Sequence, residues 1–543
     1  MTASAAASVL RGTRGGGRGV WLDRRAAFGI ATAVAATAAA TRAVPLWAVS
    51  GVWALAAEAV AWALDAGLCG RVQQVFSPPE AFAKADAVYT WEEVAAHNTA
   101  ESAWIAIHGN VYDVTAFVDS HPGGRELLLL SVGREATDLF VSYHPFTTKP
   151  EAVLAKYKIG TLGTLEHPVY KADSGFYKEA AAAVAAHFEA TGEDPKNPVT
   201  GLLRMAPAYA LALVFFFSAF CADGVPTAAR FAAAVAFGVC QGLPLTGWMH
   251  DASHASIGHS ETWWWTVGRA SLDWFSGSSM LSWRNQHVIG HHVYTNVMGA
   301  DPDLPVSLSG DARRLLPQQL WMGIYAYQHI YLLPLYGILG LKSRVQDIFE
   351  VFSRHTNGPI RVNPISTQDY LRQAASKLFW LTWRVLMPVA AVGVVRGALF
   401  AALFFVAEFT TGYWLAFNFQ VSHVSSEADF LFADQSKRAI KECPAVFEDE
   451  WAAAQVRTSI DYAHGSPMAA YLSGCLNYQV VHHLFPTVSQ YHYPAVAPVV
   501  IDVCKRYGLE YKVLPSFRAA ISAHVKHLKA MGAAGQPAEL KLE

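Results

Sequence analysis

The residues of this chain whose types and spacing could do chemistry are its histidines. "HDASH" sets His250 and His254 four apart, "QHVIGHH" supplies His287, His291 and His292, and "QVVHHLFP" supplies Gln479, His482 and His483. Positions i, i+3 and i+4 share one face of a helix, so each cluster turns its imidazoles the same way. A single H-x-x-x-H is often a polar cap on a helix end. Three such clusters, each within a few residues of an apolar run, are not explained that way. Seven imidazoles exceed what one ion needs, and imidazole-rich coordination suits iron, zinc or copper, so the set reads as a two-metal site. His423, closing "FNFQVSH", is a candidate eighth ligand. The H-E-x-x-H pattern of a lone protease-type zinc does not occur. His259, His329, His464 and His492 read as structural or as supports for the ligands.

A separate pair stands earlier in the chain. "HPGG" puts His121 before a Pro-Gly-Gly turn, and His144 follows in "LFVSYHP". Glycines there let the backbone pass close to a flat ligand. Two neutral imidazoles facing each other across a pocket suit an axially ligated haem, whose work is electron transfer because no coordination position stays open.

Apolar segments must position the three clusters. Residues 205–222 carry no charge, long enough to cross a hydrocarbon core of about 30 Å. Residues 231–249 form a second run that ends at His250. Residues 385–395 and 397–417 are a less clean pair, with Arg396 between them and Glu408 within. The stretch 320–340 is amphipathic and is expected to lie at the membrane interface. Four crossings in two hairpins return the chain to one side, so all three clusters can meet at one membrane face.

The texture differs over residues 90–163. "WIAIHGNVYDVTAF" alternates apolar and polar residues around a His-Gly-Asn turn, the signal of a half-buried hairpin, and charged residues return. This is a small soluble domain, and a bound cofactor is one source of the stability that such a domain lacks. Before it, residues 1–22 hold Arg11, Arg14 and Arg18 but no acidic residue, and apolar runs follow at 26–40 and 44–64. A targeting peptide, a signal anchor and a hydrophobic hairpin all fit. "SPPEAFAKAD" reads as a linker, since its Pro-Pro stops a helix.

Bulk composition agrees. Of 543 residues, 53% are hydrophobic and 15% charged, against roughly 25% charged in soluble proteins. With 17 tryptophans, this points to a membrane protein with interfacial aromatics. A net charge of −2 leaves no basic excess to meet phosphates, which argues against nucleic acid as a partner. Cys69, Cys221, Cys240, Cys443, Cys475 and Cys504 contain no C-x-x-C, so neither a disulfide framework nor a zinc ribbon is expected.

These motifs carry a resemblance. "VYDVTAFVDSHPGGRELLL" and "GREATDLFVSYH" resemble the two haem-ligand segments of the cytochrome b5 family, and the remainder resembles the membrane fatty-acid desaturases with their three histidine boxes. The match runs from about residue 90 to 528. Gln479 at the head of the third box, with the amino-terminal cytochrome domain, marks the front-end desaturases. These insert a double bond between an existing one and the carboxyl end of a polyunsaturated acyl chain. "GHHVYTNVMGADPDLP", "NGPIRVNPIST", "DYAHGS" and "LNYQVVHHLFPTVSQYHYP" are most similar to fungal and algal Δ5 desaturases. The third box reads Q-V-V-H-H where Q-I-E-H-H is commoner, and Val480 and Val481 are expected to point away from the metals.

The resemblance implies a multi-domain fold. A small α+β haem domain (residues 86–165) follows an extension (1–85). A linker (166–200) leads to an all-α membrane desaturase domain (201–530) with about four transmembrane helices and a cytosolic di-iron cap, and a tail (531–543) ends the chain. It implies haem b on His121 and His144. It also implies two non-haem irons on His250, His254, His287, His291, His292, His423, His482 and His483, with Gln479 in the catalytic set and O2 as co-substrate. Asp251, Asp301 and Asp303 are expected to accept N–H from ligand histidines and set their tautomers. The implied partners are a polyunsaturated acyl-CoA or acyl-phospholipid, membrane lipid and NADH-cytochrome b5 reductase, since the chain has no nicotinamide-binding G-x-G-x-x-G unit. The endoplasmic reticulum membrane, catalytic face cytosolic, is the expected location, with a plastid membrane as the alternative. A Δ4, Δ6 or Δ8 front-end enzyme and a di-iron lipid hydroxylase are the competing activities.

Overall fold

The computed structural model describes residues 87–305, 311–389, 397–432, 446–533 and 535. The extension expected over residues 1–85, and most of the tail, lie outside the described residues.

The first described unit is built on short strands. β1 (Val88–Tyr89), β2 (Asn98–Thr99), β3 (Ser102–Ile107), β4 (Asn110–Asp113) and β5 (Lys158–Leu162) form one sheet in the order β1-β5-β4-β3-β2. β3 and β4 pair antiparallel, as their alternation predicts, and turn through His108 (φ 50°) and Gly109 (φ 71°). Two successive positive φ values give the mirror-type tight turn that matches the right-handed twist of the strands. α1 (Thr137–Tyr143) packs beside this sheet and delivers His144 as the next residue.

Residues 166–200 correct one expectation. They connect the two domains in sequence, but not as a slack tether, because they hold the 16-residue helix α2 (Phe176–Thr191). Phe176, Tyr177, Ala180, Val184 and Phe188 recur at helical spacing and are buried on one side. They share a continuous core with Ile105, Ile107 and Leu130 of the first unit and with Val480, Val481 and Leu484 of the third box. The alanine-rich texture of α2 hides this in the sequence, since alanines mark no strong apolar stripe.

Two membrane-length helices follow, α3 (Val199–Cys221) and α4 (Thr227–Ser253), the latter running on through the first histidine cluster. α5 (Asn285–His291) carries the second cluster. A third long apolar helix, α6 (Gly397–His423), ends on His423. At about 1.5 Å per residue, each exceeds a hydrocarbon core of about 30 Å. Among the described residues, then, three helices rather than four are long and apolar enough to cross. The span expected at 385–395 falls largely on residues 390–396, outside the described residues, and the helix entering it begins in the polar stretch Thr367–Leu381. Leu203, Leu211, Val214 and Phe405 are exposed on α3 and α6, which suits lipid contact. Ile324, Tyr327, Ile330 and Leu335 are likewise exposed on the short helices of the 320–340 stretch, in keeping with an interfacial position.

Glu408, out of place in an apolar span, is fully buried and paired. Arg344 donates to one carboxylate oxygen, and Arg384 Nε donates to the other at 3.2 Å. α4 and α6 approach closely at Gly238, where an added Cβ would come within 2.5 Å of the Ala407 carbonyl oxygen and where Thr411 Oγ1 donates to the Gly238 oxygen at 3.0 Å. Small residues allow such backbone approach between helices in lipid. The third cluster sits on α7 (Gln479–Leu484), whose six residues are all buried.

Candidate metal centre

Local helix geometry sets the direction of the imidazoles. α4 widens into π-helical turns at Leu245–Met249, directly before His250, and α5 is π-helical throughout, with His292 N donating to the His287 oxygen at 2.9 Å. Wider turns of this kind recur at functional sites. They turn His287, His291 and His292, at i, i+4 and i+5, towards one region, where an ordinary α-helix favours i, i+3 and i+4.

Every histidine singled out in the three boxes reaches one buried region, and so does His423. His250, His254, His287 and His482 form one group whose ligand atoms lie within 4.8 Å of one another; His291, His423 and His483 form a second. His292 lies between, grouping with His482 and His483. His250 Nε2 stands 2.9 Å from His287 Nε2, His292 Nε2 is 3.2 Å from His287 Nε2, and His483 Nε2 is 3.2 Å from His423 Nε2. Two nitrogens each about 2.1 Å from one metal, at right angles, stand about 3.0 Å apart. Buried nitrogen pairs at this separation therefore have the geometry of edges of a coordination polyhedron. His254 Nε2, His482 Nε2, His250 Nδ1, His292 Nδ1 and Gln479 Oε1 are buried with no hydrogen-bond partner. Buried polar atoms are rarely left so, and a cation held by the Nε2 atoms satisfies the first two.

The opposite edges of the rings are tied down. His291 Nδ1 bonds Asp301 at 3.0 Å, His483 Nδ1 bonds Gln455 Oε1 at 2.9 Å, His482 Nδ1 bonds the Tyr493 hydroxyl at 3.1 Å, and His423 Nδ1 bonds the Thr458 carbonyl at 3.1 Å. His254 Nδ1 bonds the Tyr143 hydroxyl at 3.1 Å. Such partners fix tautomer and ring orientation, leaving Nε2 for a metal. Burial first, and neighbouring imidazoles second, hold His254, His287, His292, His482 and His483 well below the usual histidine range. They are therefore neutral, as a ligand must be. At His291 burial pulls the same way, but the Asp301 charge and hydrogen bond, helped by Asp303, outweigh it and hold the ring at about 9.

Asp301 acts as the sequence predicts, and Asp303 stands 3.6 Å from His291 Nδ1. Asp251 does not touch a histidine ring. It accepts from Ser489 Oγ at 2.9 Å and from Gln490 N at 3.2 Å, joining the first box to the loop after the third. Val480 and Val481 point into the apolar core, away from the imidazoles. Gln479 reaches the second group: its amide nitrogen is 3.0 Å from His423 Nε2 and 3.2 Å from His483 Nε2. His259, His464 and His492 pair instead with Asp194, Asp461 and Glu193. Sequence reasoning missed Gln455, Thr458, Tyr493 and Tyr143, which lie near no box of their own and carry no spacing signal.

The earlier pair also meets. His121 and His144 face each other with ring centroids 6.3 Å apart, room for one metal between them. Their Nδ1 atoms bond the carbonyls of Gly124 (2.9 Å) and Phe140 (2.8 Å), leaving both Nε2 atoms for that metal. They stand in a cavity of about 540 Å³ walled by Ile107, Phe117, Leu127, Leu139 and Phe140. A Cβ at Gly123 would come within 2.7 Å of the His121 ring. These residues fit a haem. Lys196, Ala255, His259 and Trp264 complete the same wall from beyond the small domain. Lys196 donates to the Ala255 oxygen at 3.0 Å, and burial pulls its ammonium down to about 8.

Comparison with known proteins agrees with this geometry. The fatty acid desaturase model matches residues 226–515, and the cytochrome b5-like heme/steroid binding domain model matches residues 90–163. "Delta(5) fatty acid desaturase A" of Dictyostelium discoideum is 41% identical over 445 residues, 82% of this chain and 94% of that protein. "Acyl-lipid (8-3)-desaturase" of Mortierella alpina is 38% identical, covering 82% and 97% of the two chains. Among solved structures, the prokaryotic cytochrome b5 homologue of Ectothiorhodospira vacuolata aligns with 14% of this chain and 98% of its own, at 38% identity and TM-score 0.14. With its haem pocket, its two groups of imidazoles and its membrane helices, the chain belongs to the fatty acid desaturase family, as an O2-dependent front-end desaturase with a fused cytochrome b5 domain, a haem and a di-iron centre.

Proposed function

We propose that this protein inserts a cis double bond at the Δ5 position of a long-chain polyunsaturated acyl group carried on a phospholipid. The observation that carries the reading is that relatives 35–41% identical over 82% of the chain bear the names Delta(5) or acyl-lipid (8-3)-desaturase. In this reading residues 86–165 form the haem domain and residues 201–530 the desaturase domain. His121 and His144 hold the haem. His250, His254, His287 and His482 hold one iron, His291, His423 and His483 the other, and His292 stands between them. Gln479 sits at the second iron, where turning its side-chain amide over aims the carbonyl oxygen inward.

Bound there, the iron pair supplies with O2 an oxidant strong enough to remove hydrogen from an unactivated methylene, and the haem supplies the two single electrons that O2 reduction needs beyond those from the substrate. The chain's own residues prepare that chemistry. Asp301, Gln455, Thr458 and Tyr493 hold four rings in fixed tautomers, so the site does not reorganise when metal binds. Burial of the box residues excludes water that would intercept a reactive site. The electron donor to the haem is NADH-cytochrome b5 reductase, and the membrane is that of the endoplasmic reticulum with the boxes on the cytosolic side.

Expression in a yeast that lacks polyunsaturated acids, with defined acids fed one at a time, tests this. Mass spectrometry should find a new Δ5 double bond appearing first in phospholipid. A new bond at Δ4, Δ6 or Δ8, appearance first in the acyl-CoA pool, or a hydroxylated product with no new bond overturns the assignment.

A further inference from the structure

The haem cavity and the box histidines meet at one side chain. α1 ends at Tyr143, and the next residue is the haem-pocket ligand His144. Consecutive residues at a helix end point in different directions. The His144 ring therefore enters the cavity, while the Tyr143 ring, also in the cavity wall, reaches across to the first box. Its hydroxyl lies 3.1 Å from His254 Nδ1. His254 belongs to the first imidazole group, and its Nε2 is buried without a hydrogen-bond partner.

We propose that Tyr143 is the electron bridge of this enzyme, carrying each electron from the haem ligand His144 through one peptide unit, the phenol ring and a single hydrogen bond to His254. The inference rests on the reading of His254 as a ligand of the iron pair. Electron tunnelling falls off far more steeply across an empty gap than along covalent bonds, and a hydrogen bond is the next best conductor. This route contains one non-covalent step, of 3.1 Å. Among the described residues, no other hydrogen bond joins a box histidine to a haem ligand or its immediate neighbour in sequence. The competing route is across packed side chains, since Val288 and Ile289, next to His287, also line the haem cavity. With Nε2 of His254 given to metal, Nδ1 carries the proton and donates it to the Tyr143 oxygen, so the bridge also fixes the tautomer. In each transfer one ferrous haem becomes ferric and one ferric ion of the pair becomes ferrous; no atom moves and no proton is consumed at Tyr143.

The docked arrangement explains why such a bridge can exist. The backbone N–H of Glu126 donates to Glu261 Oε1 at 2.9 Å, and Arg134 donates to the Arg361 oxygen at 3.0 Å and to Asn363 Oδ1 at 3.2 Å. These bonds span more than a hundred residues of sequence and fasten the segment just before α1 to the boxes' domain, which holds Tyr143 against the first box.

Tyr143→Phe in the full-length, haem- and iron-loaded enzyme removes only the hydroxyl. The haem is reduced photochemically or by its reductase, mixed with acyl substrate and O2, and its reoxidation followed in the Soret band by stopped flow. The expected result is reoxidation at least tenfold slower than wild type, with an unchanged Soret spectrum and midpoint potential and, with iron supplied in excess, an unchanged non-haem iron content. Prereducing the iron pair anaerobically with reduced methyl viologen, and removing the excess before O2 is admitted, should then give one turnover of desaturation at the wild-type rate. Wild-type reoxidation in the variant overturns the bridge in favour of the packed route. Slow reoxidation that methyl viologen does not rescue, or that accompanies lost iron, also overturns it, since Tyr143 then acts only by holding His254. His254→Ala separates the underlying reading: full iron content there removes His254 from the metal site whatever Tyr143 does. Tyr143→Trp, which keeps an aromatic ring in the cavity wall, serves if the phenylalanine variant does not fold, with the same outcomes deciding.

Discussion

Asp301→Asn tests whether the second imidazole group is a prepared metal site. Asp301 is 1% exposed and receives three N–H groups: His291 Nδ1 at 3.0 Å, the Asn296 backbone at 2.9 Å and the Asp303 backbone at 2.9 Å. Asparagine preserves the shape but has one acceptor oxygen where the carboxylate has two, so one of the three donors must face an amide N–H. It also removes the charge that holds the His291 Nδ1 proton. Replacing a partner of this kind costs about 10- to 100-fold in metal affinity, or about 1.4–2.7 kcal/mol. The assay is the ratio of non-haem iron, released by acid and read with a chromophoric chelator, to haem read from its Soret band in the same sample. Under limiting iron the ratio should fall by up to half, because the group of His250, His254, His287 and His482 does not involve Asp301. An unchanged ratio, together with wild-type resistance to a chelator challenge, would refute the claim that Asp301 prepares His291 for metal.

His121→Ala should abolish the haem absorbance and desaturation while leaving the non-haem iron, and chelation should remove the non-haem iron and desaturation while leaving the haem absorbance; loss of both cofactors in either experiment would contradict separate sites. Glu408→Gln leaves Arg344 and Arg384 buried without a counter-charge, and breaking a buried pair in this way costs about 3–5 kcal/mol. It should lower the thermal inactivation midpoint in detergent with little change in the haem spectrum, and an unchanged midpoint would show that the cluster does not support the span.

The histidine boxes were legible because their geometry is local. Within "HDASH" and "QVVHH" a few bonds separate the rings, so helical periodicity alone states that they face one way, whereas "HVIGHH", at i, i+4 and i+5, also needs its π-helical turns. The β3–β4 hairpin was legible for the same reason, through alternation and a two-residue turn. Glu408 was visible only as a blemish in an apolar run, because its partners Arg344 and Arg384 lie 64 and 24 residues away. α2 lies unmarked within the stretch 166–200 because helix faces rich in alanine give little contrast, and its burial depends on the third box packing against it.

By itself the sequence determined that imidazoles of three clusters, and a further two in a small domain, are available for metal and haem, since residue type and short spacing are properties of the chain. Tertiary structure alone decided how those imidazoles divide between two groups, that His423 and Gln479 join the second, that Asp251 serves a loop rather than a ring, and that Tyr143 touches His254. Each of these depends on where helices far apart in sequence come to rest, and that is set by burial of the shared core rather than by any spacing along the chain.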